Sequence, residues 1–243
     1  QRPDDGMTSG PYTYGIWTPA APPLATRPTS RTEAIHITVA FIVLTFDLVI
    51  ILSGRGLLAG NGSSGLFSSI PIFYVLLAAG AALTGFIAHE MAHKLVARRL
   101  GYWAEFRMWP FGLVLSLITS VSGFLFAAPG ATMVSGMSPN DRRGWGLTGV
   151  AGPMSNLLFA AGFYGASIVA FRLGSDSFGP LLFLAMINAL FATFNLLPLG
   201  PLDGAKVLRW GVGRWILTFV VAVGALALTS LALDFFGSPF LAW

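Results

Sequence analysis

The 243-residue chain is 55% hydrophobic and only 10% charged, has a net charge of +4 and a pI near 9.9, and contains no cysteine. Soluble domains carry about 25% charged residues, so a soluble globular enzyme is excluded; the mean hydropathy of +0.74 points instead to a polytopic membrane protein. The absence of cysteine excludes disulfides, thiol catalysis and thiolate metal ligands, which leaves His, Asp and Glu to hold any metal.

In chain order, residues 1–32 hold Pro3, Pro11, Pro19, Pro22, Pro23 and Pro28 without periodicity. They are expected to be an irregular tail, ahead of a single transmembrane domain over 33–243. Five segments reach the ~20 residues a bilayer requires: Ala34–Leu52, Ile72–Leu95, Leu147–Phe171, Pro180–Leu197 and Trp215–Leu233. The expected fold class is therefore an all-α polytopic membrane protein of about five to six transmembrane helices. A sixth apolar run, Phe111–Ala128, is decided by charge. With the N-terminus inside, Arg27, Arg31, Lys94, Arg98, Arg99, Arg107, Arg142, Arg143, Lys206, Arg209 and Arg214 are all cytoplasmic, and only Arg55 and Arg172 lie outside. A single crossing by the sixth run would destroy this bias. The region 103–137, punctuated by Gly112, Gly123, Pro129, Gly130 and Gly136, is therefore expected to enter and return on one side; a transmembrane hairpin is the alternative. The same distribution explains the basic pI without any nucleic-acid partner.

The second span contains His89-Glu90-Met91-Ala92-His93. Histidines at i and i+4 share one helix face, so both imidazoles can reach one zinc ion, and the intervening glutamate can act as general base. Ionisable groups within an apolar helix are costly and usually functional. The competing structural reading is a helix end where Glu90 pairs with Lys94 at i,i+4. A catalytic zinc needs a third protein ligand and an open position. Among the remaining candidates Asp203 stands at matching depth, where Pro198, Gly200, Pro201 and Gly204 break the helix and can turn a side chain inward. An ordinary helix stop with a solvated aspartate is the alternative.

HExxH followed by Asn195, Pro198, Leu202, Asp203 and Gly204, which fit N-x-x-P-x-x-x-L-D-G position by position, resembles the site-2 protease family of intramembrane metalloproteases. The resemblance spans most of 72–209. It implies one Zn2+ held by His89, His93 and Asp203, with Glu90 as general base. It implies a role for Asn156, in Gly152-Pro153-Met154-Ser155-Asn156, in holding substrate backbone or the oxyanion; the alternative is a Gly/Pro helix start with a packing Asn. Asn195 is expected to touch substrate or the site. It also implies a β-like segment after the HExxH helix, and hydrolysis of peptide bonds in or near the transmembrane segments of single-span membrane proteins. Catalysis would sit towards the cytoplasmic side of the cell membrane, in contact with the lipid bilayer. No segment is long or polar enough for the PDZ or CBS domains that many relatives carry. The rival functions are a catalytically inactive membrane-binding relative and a metal transporter.

Four expectations lie outside that pattern. Asp47, inside the first span, is expected to pair with Arg55 or an interior hydroxyl; a substrate-gate or water-cavity residue is the alternative. Glu33 and His36 are expected to be solvated at the interface rather than to form a second metal site. Glu105 and Arg107 are expected to form a surface ion pair, and Asp141 a solvated pair with Arg142 and Arg143. Trp17, Trp103, Trp109, Trp145, Trp210 and Trp215 flank the spans as an interfacial belt would.

Overall fold

In a computed structural model the described residues are 29–54 and 71–236. Ser30 opens helix α1 (Arg31–Leu52), its hydroxyl accepting from the Glu33 amide as an N-cap should. Arg31 and Thr32 are therefore helical, while residues 1–28 of the expected tail, with Trp17 and Arg27 among them, and Arg55 lie outside the described residues. Then follow α2 (Ile72–Ala81), a π-helical turn (Ala82–Ile87) and α3 (Ala88–Arg99), which form one rod over Ile72–Arg99. Single π turns inside helices cluster at functional sites, and this one ends two residues before His89. Beyond it lie β1 (Trp103–Met108), α4 (Pro110–Ser122), β2 (Gly130–Ser135), α5 (Arg142–Arg172), α6 (Phe178–Asn195), α7 (Asp203–Trp210) and α8 (Val212–Phe236).

Five of these helices are long and apolar enough to cross a bilayer: α1, the Ile72–Arg99 rod, α5, α6 and α8. They match the five expected segments with ends displaced by a few residues, and give the chain a multi-pass membrane architecture. Their outward faces carry Leu158, Leu217 and Leu231, each about two-thirds exposed, as lipid-facing side chains are.

The sixth run forms no helix of spanning length. Its helix α4 has 13 residues, about 20 Å of rise, and its flanks are joined: β1 and β2 pair antiparallel, with Met108 opposite Gly130 and Trp103 opposite Ser135. The excursion between Met108 and Gly130 therefore starts and ends at one place, as the charge count requires. It is anchored at depth by Asp47 of α1, which accepts from Ser120 of α4 at 2.7 Å, so the interior hydroxyl is the partner found.

Helix α5 contains Pro153 well inside its length, fully buried. The Gly152-Pro153 pair is thus not a helix start. Proline here removes the N–H that would bond Gly149, in a stretch where three glycines, Gly146, Gly149 and Gly152, repeat at i, i+3 and i+6. A Cβ at Gly146 would enter the Trp210 side chain, and one at Gly149 would come 2.8 Å from Lys206 Cβ. Gly146 and Gly149 are the seat on which α7 lies against α5, while Gly152 faces the His89 and His93 rings of α3.

Candidate metal centre

His89 and His93 project from one face of α3 into the gap between α3, α5 and α7, and both are buried. Asp203 enters the same gap from the first turn of α7. The loop before it folds back tightly. Leu202 donates to the Leu199 carbonyl at 2.9 Å, the Trp215 indole donates to the Leu196 carbonyl at 2.8 Å, and Gly204 is pressed so close to the Leu196 and Leu197 carbonyls that no Cβ would fit. This accounts for the Asp-Gly pair in structural terms. It also gives Trp215 a bracing role beyond that of a belt residue.

Second-sphere contacts set the imidazole tautomers. His93 Nδ1 lies 2.6 Å from the Thr148 carbonyl, which only accepts, so Nδ1 carries the proton. Asn156 points its amide NH2 at the Gly85 carbonyl (2.9 Å) and at Asn188 Oδ1 (3.2 Å), which turns its own Oδ1 to His89 Nδ1 at 2.5 Å. His89 Nδ1 is therefore also the protonated nitrogen. With both imidazoles neutral, as metal ligands are, the two Nε2 atoms present bare lone pairs, 3.0 Å apart, and Asp203 Oδ2 lies 3.2 Å from the first and 2.9 Å from the second. Three acceptors converging without an intervening proton repel one another unless a cation sits among them. Tetrahedral zinc with bonds near 2.0–2.1 Å separates its ligands by about 3.3 Å, so the donor set fits that ion. Among the described residues these three form the one such group of His, Asp and Glu side chains. A Cβ at Gly152 would strike both Nε2 atoms; the helix is bare where the ion would lie.

Asp203 Oδ1 takes a different partner, Lys206 Nζ at 2.8 Å.

Glu90 lies on the cavity side of α3. The Thr132 amide of β2 donates to its Oε2 at 2.7 Å, and the Thr132 hydroxyl donates to the Glu90 carbonyl at 2.9 Å. The expected helix-end pairing of Glu90 with Lys94 is not made. Lys94 instead bonds Glu33 Oε2 at 2.5 Å, and Glu33 Oε1 accepts from the Phe106 amide of β1 at 2.9 Å. Glu33 is fully buried, so its expected interfacial solvation is overturned. With His36 taking the Met108 amide at 3.4 Å, it binds the outer edge of the hairpin to α1. Phe106 and Thr132 face each other across the ladder, so the hairpin is gripped at one rung by a carboxylate on either side. Glu105 and Arg107 do pair, at 2.6 Å, but Glu105 is buried and not at the surface as expected. Asp141 differs from expectation: it caps α5 by accepting from Gly144 N at 2.9 Å, and it accepts from the Tyr102 hydroxyl at 2.7 Å.

A cavity of about 560 Å3 opens onto these groups, lined by His89, Glu90, His93, Asp203, β2 and the end of α6. Asn195 is on its wall, its amide donating to the Phe191 carbonyl at 3.0 Å. Asn156 is not. It is wholly buried behind His89 with both ends of its amide engaged, and its Oδ1 holds the His89 ring. Thr132, Gly146 and Gly149 were not singled out from the sequence.

No family model matches the chain, and no solved structure matches it. Curated proteins do, among them these three. Zinc metalloprotease MJ0611 of Methanocaldococcus jannaschii is 37% identical over 161 residues, covering 65% of this chain and 81% of that protein. Rip3 of Mycobacterium tuberculosis is 32% identical over 144 residues, 57% of this chain and 32% of its own length. YwhC of Bacillus subtilis is 32% identical over 148 residues, 52% of this chain and 65% of its own. The chain thus spans about a third of Rip3. All three carry zinc metalloprotease as a provisional name.

Proposed function

The chain belongs to the zinc metalloprotease family of these relatives, and from that premise we propose that it is a site-2-type intramembrane protease, cutting peptide bonds in or near transmembrane segments of single-span proteins. The observation that carries the proposal is the meeting of His89, His93 and Asp203 at one buried point beside Glu90, on helices long and apolar enough to cross a bilayer.

His89 Nε2, His93 Nε2 and Asp203 Oδ2 are the zinc ligands. When bound, zinc supplies Lewis acidity, polarising a carbonyl and acidifying water. Glu90 then accepts the proton of the attacking water and returns it to the leaving amine. Its Oε2 is held by Thr132, which leaves Oε1 for the proton. The substrate helix must unwind to expose its carbonyl. Among the described residues strand β2 pairs only with β1, and because the Thr132 amide points away from β1, Gly130 and Val134 present their backbone on that same edge. An extended substrate segment adds there by β-augmentation, with Asn195 meeting it from the opposite wall. The positive-charge bias puts the N-terminus and the site towards the cytoplasm, in the cell membrane. The transporter alternative needs further ligands along a path, and among the described residues none converge.

The test is cleavage of a panel of single-span substrates by wild type and Glu90→Gln, with zinc measured in both. The variant is expected to keep its zinc and lose turnover by about 10²–10⁴-fold. A variant that still cleaves sinks the mechanism. Asn156→Ala is expected to weaken zinc binding about 10–100-fold by freeing the His89 ring, and competition with a chelator reads this directly; undiminished affinity would deny Asn156 its orienting role.

A further inference from the structure

We propose that Lys206 is a positioning residue of the metal site: its ammonium occupies Asp203 Oδ1, so that Oδ2 alone faces His89 and His93. The inference rests on the reading of these three as zinc ligands.

The two oxygens of Asp203 have wholly different surroundings. Oδ2 lies 2.9 Å from His93 Nε2 and 3.2 Å from His89 Nε2, whereas Oδ1 is 2.8 Å from Lys206 Nζ. A carboxylate whose second oxygen is unclaimed can rotate and bind a metal through both atoms, using up the position that a catalytic site must leave open. Here Asp203 and Lys206 stand at i and i+3 on α7, on one face. The stem of Lys206 packs on Gly149 of α5, closely enough that no side chain fits between them. The side chain is about one-third exposed, so its head reaches the cavity while its stem is clamped. The ammonium is placed by packing, and it places the carboxylate in turn.

Charge and geometry predict opposite signs. By Coulomb repulsion alone, a cation next to a metal site weakens metal binding, so removing it should tighten zinc. Positioning predicts the reverse, because hydrogen-bond partners of metal ligands typically govern affinity by 10–100-fold.

The experiment uses the full chain in detergent and compares wild type, Lys206→Met, Lys206→Arg and His93→Ala. Zinc affinity is read by chelator competition, zinc coordination by X-ray absorption, and folding by thermal melting of the metal-free protein. Methionine keeps the stem that covers Gly149, so the metal-free melting temperature should hold. Lys206→Met is expected to bind zinc about 10–100-fold more weakly, with an added oxygen neighbour at the metal, and Lys206→Arg to restore both readouts. Unchanged or tighter zinc with unaltered coordination in Lys206→Met, while His93→Ala loses zinc, overturns this proposal alone. Zinc binding that is indifferent to His93→Ala overturns the ligand reading, and this proposal with it. If Lys206→Met melts early, Lys206→Arg decides: wild-type coordination supports the positioning role and an altered one overturns it.

Discussion

Replacing Gly152 by alanine is expected to abolish zinc binding and cleavage together while leaving the fold close to wild type. The added methyl would lie against Nε2 of both His89 and His93. Neither ring can retreat, because His93 is fixed by the Thr148 carbonyl at 2.6 Å and His89 by Asn156 at 2.5 Å. A methyl forced into a packed site costs about 1–3 kcal/mol, and the helix preference of alanine over glycine returns up to about 1 kcal/mol, so the net loss of stability is small. The loss of function is not, since the methyl takes the volume in which the three donors converge. Gly162, on the same helix with nothing within 4 Å of a built Cβ, is the control: Gly162→Ala should keep both zinc and activity. Metal analysis beside a thermal melt settles the matter, and a Gly152→Ala protein with full zinc would place the ion elsewhere.

What could be anticipated from the chain alone is what depends on local pattern. Apolar runs of bilayer length announce spans wherever they fall. His89 and His93 share a face because four residues make about one turn. The return of the chain after α4 was visible only indirectly, through the side on which Arg142 and Arg143 had to lie. The contacts that escaped are those between residues far apart in sequence. Lys94 had a partner at i−4 in Glu90, yet it bonds Glu33, 61 residues away, because Glu90 is already taken by the hairpin. Asn156 was visible as part of a pattern, but its direction was not: only the packing of α5 against the π turn shows that it faces His89 rather than the cavity. A glycine triplet at i, i+3 and i+6 is a small-residue stripe, with a meaning only once α7 lies on Gly146 and Gly149 and the histidine rings of α3 on Gly152.

Breaking the Glu33–Lys94 pair is expected to have the largest effect on stability. Both side chains are buried, Glu33 completely, so Glu33→Ala or Lys94→Met alone strands a charge in a poorly solvated place, at a cost of about 3–5 kcal/mol. Replacing both by apolar residues of similar size removes the stranded charge, and such exchanges are often nearly neutral. Here recovery should be incomplete. Glu33 Oε1 also accepts the Phe106 amide, and the double variant Glu33→Leu/Lys94→Met leaves that buried N–H without a partner, worth about 1–3 kcal/mol. The residual deficit would fall on β1, and through the ladder on β2 and the Thr132 contact that steadies Glu90. Urea or thermal unfolding of the two single variants and the double should therefore show strong coupling with a remaining loss. Protease sensitivity between Trp103 and Ser135 should rise in the double variant above that of wild type. Additive losses, or a double variant as stable as wild type with an unaltered hairpin, would mean that Glu33 neither neutralises Lys94 nor carries the strand.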